Sequence, residues 1–173
     1  MTAQNEQIHG LLDQVMSDYA RKRFAVERRL AESGTIVDLP LLVDPPVPVE
    51  EIPTFEPGTK RFLSSMLKAR FEYASAITRL GEVWLGLPQT GETIQSDSVQ
   101  TTFSSHRRHW QDSAPMRFPP KDISLFAITP GVPQNLTYLV WNDGRDEPEL
   151  WRYQGMNSRS FKDLRDYLRW VLT

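Results

Sequence analysis

The chain has 173 residues, with 20 basic and 22 acidic side chains, a net charge of −2 and no cysteine. This length fits one domain, or one domain with an appended helical piece. The charge argues against nucleic-acid or anionic-membrane binding, which needs a basic excess, and the absence of cysteine excludes disulfides, thiol catalysis and thiolate metal sites. Since no signal-peptide pattern or bilayer-length apolar run is visible, we expect a soluble cytoplasmic protein.

The N-terminal segment predicts one amphipathic helix over residues 4–33, ended by Gly34. Its apolar residues recur at helical spacing: Ile8, Leu12, Val15, Tyr19, Val26 and Leu30. The basic groups at 21–23 and 28–29 share this helix with five acidic residues. A solvated helix surface therefore explains them better than a nucleic-acid-binding face.

The next segment, residues 35–58, holds six of the thirteen prolines, five acidic residues and no basic residue. Proline fixes φ and lacks an amide donor, so this segment is neither a helix nor an interior strand. Its many apolar side chains need burial, which predicts an extended strap lying across the folded body. The alternative is a proline-rich ligand for a groove in a partner.

The middle of the chain predicts a second helix over residues 59–87, because apolar residues again recur at helical spacing. Val83–Leu85 is also compatible with the start of a strand. The stretch Thr93–Phe103 is rich in Thr, Ser, Gln and Val, and it predicts one or two short edge strands.

The last third predicts three strands and a helix, with a turn at Asn142–Arg145. These elements are strands at Ile123–Ile128, Leu136–Trp141 and Glu149–Tyr153, and a helix that begins at Ser160 and faces the core through Phe161, Leu164, Leu168 and Val171. The predicted fold class is α+β: long N-terminal helices and a small, mainly antiparallel sheet closed by a C-terminal helix. The predicted organisation is a helix at 1–34, a strap at 35–58 and an α+β domain at 59–173.

Catalytic patterns are weak. His106 and His109 have the spacing of a two-histidine metal site, but no characteristic third ligand is near, so a polar surface turn is the better interpretation. No nucleophile elbow or phosphate-binding glycine loop is present. We expect no catalytic, cofactor-binding or metal-binding residues. The alternative is a hydrolase that uses Asp112 or the acids of the last hairpin with His106 or His109.

The hairpin between the second and third C-terminal strands is the best candidate for a binding surface. It places charged residues between two tryptophans, and exposed aromatics rimmed by charge suit protein interfaces. The candidate partner-binding residues are Trp141, Asp143, Arg145, Asp146, Glu147, Glu149 and Trp151. The alternative is that both tryptophans lie in the core and the acids solvate the turn.

Four stretches resemble the C-terminal half of the SUKH superfamily: Phe118–Ala127, Thr137–Trp141, Glu147–Trp151 and Ser160–Leu168. Members show a proline before an apolar strand ending in Phe-Ala, a strand ending near a tryptophan, a short proline-led strand and a closing helix. The family's N-terminal phrase, Leu-Pro with an aromatic residue and then Asn-Gly-Gly, is absent here.

The resemblance implies an α+β fold with a curved, mainly antiparallel sheet, no enzymatic activity, and a role among bacterial immunity proteins and adaptors. Such proteins bind a partner, for immunity proteins a toxin, and act by steric occlusion. We therefore predict a non-enzymatic protein-binding module whose partner is another protein. The alternative is a structural subunit that forms a homo-oligomer through residues 4–33.

Overall fold

The computed structural model describes residues 3–34, 41–79, 81–142 and 144–173. In these ranges a seven-stranded antiparallel sheet, ordered β1-β4-β5-β6-β7-β8-β9, lies between two groups of helices, and β2 and β3 form a separate hairpin. The helices are α1 (Ala3–Glu32), α2 (Ser65–Tyr73), α3 (Leu87–Gln95), α4 (Asp97–His109), α5 (Ala114–Arg117) and α6 (Leu164–Val171). The strands are β1 (Leu42–Val43), β2 (Glu51–Pro53), β3 (Lys60–Phe62), β4 (Ile77–Arg79), β5 (Glu82–Trp84), β6 (Ile123–Ile128), β7 (Leu136–Val140), β8 (Glu149–Gln154) and β9 (Asn157–Phe161). The predicted α+β class is confirmed.

One face of the sheet packs against α1, α2 and α6. The predicted N-terminal helix is confirmed, and its first half buries the expected stripe in this layer, whereas Val26 is exposed. Gly34 adopts a φ of +80°, the left-handed conformation predicted for the residue that ends the helix. The N-terminal helix is therefore part of the main core. The buried stripe consists of Ile8, Leu12, Val15 and Tyr19.

The opposite face packs against α3, α4 and α5, with Phe55 from the loop after β2. Phe55 stacks on Phe103 of α4 with ring centroids 4.0 Å apart, and both rings meet Tyr138 of β7 edge-on. The sheet thus separates two hydrophobic cores, and residues along β7 and β8 alternate between them. At the bulge in β6 the successive residues Phe126 and Ala127 both join the core under α1, α2 and α6.

The predicted edge strands within Thr93–Phe103 are wrong, because α3 and α4 occupy this stretch. The inward positions of α4 are Val99, Thr102, Phe103 and His106, at helical spacing. Two of these four side chains are polar, so the apolar residues alone do not show the helical period.

The predicted helix over residues 59–87 is also wrong in its length. The helix α2 begins after Ser64, whose hydroxyl accepts from the amide of Leu67, and it ends at Tyr73. The apolar residues that follow belong to the β4–β5 hairpin, and Val83 lies in β5, as the alternative interpretation allowed. These residues form paired strands instead of a helix, because the pairing places Ile77 and Trp84 directly opposite each other in the core.

The described part of the predicted strap, residues 41–58, is extended and partly strand. β1 pairs with β4 at the edge of the main sheet, and β2 pairs with β3. Ile52 and Phe55 are buried, whereas Leu42, Val43 and Val47 are exposed. Residues 35–40 of the prediction lie outside the described residues.

The three predicted C-terminal strands are confirmed, and β6 has the predicted bounds. The predicted start of the last helix is wrong, because Ser160 lies in the additional strand β9 and Asp163 caps α6 by accepting from the amide of Asp166 at 2.8 Å. Leu164 and Leu168 are buried as expected.

Candidate protein-interaction surface

The two hairpin tryptophans lie on opposite faces of the sheet. Trp151 pairs directly with Tyr138, and both side chains contact the core under α4. Trp141 follows the end of β7, three residues after Tyr138, and packs against the core under α1, α2 and α6. Because successive side chains alternate between faces, an offset of three residues reverses the direction. The hairpin therefore does not present both tryptophans on one surface.

Glu147 faces the same side as Trp141. One carboxylate oxygen accepts from the backbone amide of Met66 at 3.0 Å and from the side-chain amide of Gln4 at 3.3 Å. Burial raises the pKa of Glu147, and the Met66 amide partly counters this shift by stabilising the charged form. Glu147 thus satisfies a donor in the first turn of α2. Asp146 beside it is exposed, and Asp143 lies outside the described residues.

The other three candidate residues form one connected group. Glu149 accepts from the Arg145 guanidinium at 2.8 Å and, through its second oxygen, from the Trp151 indole N–H at 3.0 Å. The carboxylate therefore fixes the tryptophan ring and an exposed arginine relative to each other.

Three residues that sequence reasoning missed extend this group. Phe118 meets the Trp151 ring edge-on, with centroids 6.2 Å apart. The Arg117 guanidinium lies 5.6 Å from the Trp151 ring centroid, within the range of a cation–π contact. Met116 beside it is 54% exposed. We name this surface the Trp151 patch; its members are Met116, Arg117, Phe118, Arg145, Glu149 and Trp151.

The helix α5, which carries part of the patch, is held by buried hydrogen bonds. The Ser113 hydroxyl donates to the carbonyl of His106 at 2.7 Å, and it accepts from the amide of Met116 at 3.3 Å. The amide of Ala114 donates to the Tyr153 hydroxyl at 2.7 Å. A Ser followed two residues later by Pro is a helix-start signal that the sequence offered. No local signal indicated that this turn meets Trp151.

The predicted polar surface turn is wrong for His106, because this residue is buried in α4. Its Nδ1 lies 3.1 Å from the Tyr138 hydroxyl, and its ring stacks on Tyr153 at 4.6 Å. Burial lowers the pKa of His106 to about 4, so the ring is neutral near pH 7. His109, by contrast, is exposed at the end of the helix.

Among the described residues, His106 and His109 do not belong to a metal-binding set. Within the four described ranges, no set of three or more His, Asp and Glu side chains is placed to hold a metal ion. A shallow depression along α4 contains Asp97 and His109, but twelve helical steps separate them by roughly 18 Å. Asp97 is therefore too distant to orient His109.

Comparisons of the chain with protein-family models, with curated proteins and with solved structures found no match. Among the helices described here, none combines the length and apolarity that a bilayer crossing requires. The geometry of the Trp151 patch is therefore the main guide to function. It combines an indole, a phenyl ring, two arginines and an exposed methionine, which are residue types enriched at protein interfaces.

Proposed function

We propose that this protein is a non-enzymatic protein-binding module that contacts its partner through the Trp151 patch. The observation that carries the proposal is the partly exposed Trp151 ring, which Glu149 and Arg117 hold in place at the sheet surface. Tryptophan and arginine dominate the binding energy of many interfaces because they combine large apolar area with polar groups. A ring fixed before binding also loses little conformational entropy when a partner arrives.

The resemblance of residues 118–173 to the SUKH superfamily supports a more specific class. We propose a bacterial immunity or adaptor role, in which the bound module blocks a functional cleft of its partner. A patch on a rigid sheet suits steric occlusion, since the mechanism requires tight contact and no chemistry.

Site-specific photo-crosslinking tests the proposal. A photoreactive phenylalanine analogue replaces Met116 in the patch, and the matched control carries it at Leu42, which is 59% exposed in β1, at the opposite edge of the sheet from β9. We expect one discrete protein to crosslink from position 116 in native extract and not from position 42. Equal labelling from both positions, or none from 116, would contradict a binding role for the patch.

Point variants then separate contact from folding. Arg117→Glu reverses an exposed charge of the patch and should reduce crosslinking at least about tenfold, with the free energy of unfolding unchanged within about 0.5 kcal/mol. Trp151→Ala should abolish crosslinking, but it also removes packing area from the core. Arg117→Glu is therefore the decisive variant, and retained crosslinking in it would count against the proposal.

A second candidate function is self-association through α1. One observation favours it: Phe24, in the second half of the helix, is 67% exposed. The first half offers no equivalent surface, because its apolar stripe is buried against α2 and α6. If α1 joins two copies, Phe24→Ser should convert a dimer to a monomer in light scattering. Phe62→Ser, at a position 74% exposed in β3, is the matched control and should change nothing.

A further inference from the structure

The outermost strand β9 leaves one edge of the main sheet open. Among the described residues it pairs with β8 on one side and with no strand on the other. Asn157, Ser158, Arg159 and Ser160 are all exposed. An open edge presents unpaired backbone donors and acceptors, and an extended segment of another chain can pair with them.

The register of the β8–β9 hairpin shows which backbone groups face outward. Gln154 and Asn157 are opposite each other across a two-residue turn, and Gly155 takes a φ of +56°. The pair that closes such a turn is hydrogen-bonded, and hydrogen-bonded pairs then alternate along the ladder. The N–H and C=O groups of Ser158 and Ser160 therefore point away from β8, toward the open edge.

The side chains beside this edge indicate the charge of the segment that it accepts. Arg159 lies directly opposite Arg152, and both guanidinium groups approach the Trp170 ring, at 5.5 and 5.2 Å. Like charges directly opposite each other in a sheet are destabilising. Arg152 has Glu82 at 3.6 Å, but Arg159 has no carboxylate partner among the described residues. A carboxylate next to Arg159 would relieve this repulsion.

The same charge argues against a second copy of this chain at the edge. A two-fold axis near Ser158, Arg159 or Ser160 would place Arg159 of one copy opposite or diagonal to Arg159 of the other. Cross-strand neighbours at these positions are close enough to repel. The charge of Arg159 therefore disfavours pairing between β9 strands of two copies and favours pairing with an acidic strand.

We propose that the partner adds an extended acidic strand to β9. Its backbone would bond to Ser158 and Ser160, its carboxylates would face Arg159, and an apolar side chain on the other face would approach Trp151, which lies opposite Ser160. Main-chain bonds supply affinity in such complexes, and alternate side chains set the register. This inference rests on the proposed binding function and names the chemistry of the partner.

The test uses two capped octapeptides as probes, one alternating glutamate with valine and one alternating lysine with valine. We expect the glutamate peptide to bind and to slow amide hydrogen exchange at Ser158 and Ser160, and the lysine peptide not to bind. Ser160→Pro removes an outward N–H that would donate to the peptide, so it should weaken binding at least about tenfold. The variant should still fold, because edge strands tolerate proline where the N–H faces solvent. The matched variant Ser160→Ala keeps the N–H and should bind within about twofold of wild type.

Charge reversal gives a second, independent readout. Arg159→Glu should exchange the preference, so that the lysine peptide binds and the glutamate peptide does not. Arg28→Glu, at an exposed position on α1, is the control and should leave the preference unchanged. Retained glutamate-peptide binding in Arg159→Glu, or equal binding by Ser160→Pro and Ser160→Ala, would overturn the proposal. Protection of the same amides by an oligothymidylate and not by the peptide would also overturn it, in favour of nucleic acid.

The outcomes separate this inference from the proposed function. A partner that crosslinks at position 116 but is not displaced by the glutamate peptide would leave the binding function intact and reject strand addition. Glutamate-peptide binding with no partner crosslinked at position 116 would reject the Trp151 patch and retain the edge as the binding site.

Discussion

Arg70 is a charged side chain with no exposure to solvent. Its guanidinium donates to the carbonyl oxygens of Ala74 at 2.6 Å, Ser75 at 2.5 Å and Trp84 at 3.2 Å. Burial lowers the pKa of Arg70 to about 9, which still leaves it charged near pH 7. One side chain thus joins the end of α2 to β5, and the buried carbonyls depend on it.

We predict that Arg70→Met lowers the free energy of unfolding by about 3–5 kcal/mol, because the buried carbonyls lose their donor. Urea denaturation measures this change. Arg28→Met is the control: this side chain is 65% exposed and 3.8 Å from Glu32, so its loss should cost less than about 0.5 kcal/mol. Similar values for the two variants would show that Arg70 contributes little to the fold.

His106 predicts a specific pH dependence of stability. Its pKa is about 4 in the folded state against an ordinary value of 6.5, so protonation favours the unfolded state. The neutral ring contributes fully to the free energy of unfolding above pH 6.5. This contribution is lost as the pH falls from 6.5 toward 4, and the total loss is on the order of 3 kcal/mol. The hydroxyls of Tyr138 and Tyr153 beside the ring do not titrate in this window, since burial raises both of their pKa values.

Unfolding free energies measured across this window test the assignment. His106→Gln should flatten the His-dependent part of the profile, whereas His109→Gln, on the exposed end of the same helix, should leave it unchanged. A profile that keeps its slope in His106→Gln would assign the effect to carboxylates elsewhere.

At the scale of elements, the first turn of α2 depends on a residue far along the chain. Glu147 accepts from the amide of Met66, a position whose N–H has no partner within the helix. We predict that Glu147→Ala costs about 1–2 kcal/mol and speeds amide exchange at Met66. Asp146→Ala, at the exposed neighbouring position, should change stability by less than about 0.5 kcal/mol. Equal losses of stability in the two variants would mean that the hydrogen bond between Met66 and Glu147 makes no specific contribution.

The accuracy of element prediction followed the strength of local patterns. Ile123–Ile128 was predicted with the bounds that the structure shows, because a strand buried on both faces is a continuous apolar run bounded by prolines. The strand at Asn157–Phe161 has no such pattern, since its first four residues are polar and exposed. It forms because the Gly155 turn brings it alongside β8, whose backbone supplies its hydrogen-bond partners.

The candidate site was predicted in part for the same reason. Arg145, Glu149 and Trp151 are close in sequence, so a hairpin was enough to predict that they meet. Arg117 and Phe118 reach the same surface at the end of α5, and the Ser113 and Tyr153 hydrogen bonds that fix this helix link distant parts of the chain. Contacts between residues so far apart in the chain leave no pattern in the local sequence.

At the scale of the whole molecule, α1 belongs to the main core. Its stripe of Ile8, Leu12, Val15 and Tyr19 covers the sheet-facing layer formed with α2 and α6. We predict that deleting residues 1–34 abolishes cooperative thermal unfolding and exposes apolar surface that binds a hydrophobic dye. Burial of a large apolar side chain contributes about 1.5–3 kcal/mol, so losing the four side chains of the stripe removes about 6–12 kcal/mol, which is comparable to the entire stability of a typical domain.

A control for this deletion lies on the same helix. Phe24→Ser alters the exposed half of α1 and should keep the melting temperature within about 2 °C of wild type. Cooperative unfolding of the deleted chain would show that the remaining residues form a stable core without α1.

The sequence by itself determined the α+β class, the long first helix, the extended proline-rich segment and the three C-terminal strands. Each of these follows from proline chemistry or from a hydrophobic period that neighbouring residues carry. The tertiary structure decided that Trp141 and Trp151 face opposite cores, that His106 is buried, and that polar residues 97–109 form a helix. These outcomes depend on pairing between distant segments, because sheet register fixes the face of each side chain and burial against a remote element overrides local preference.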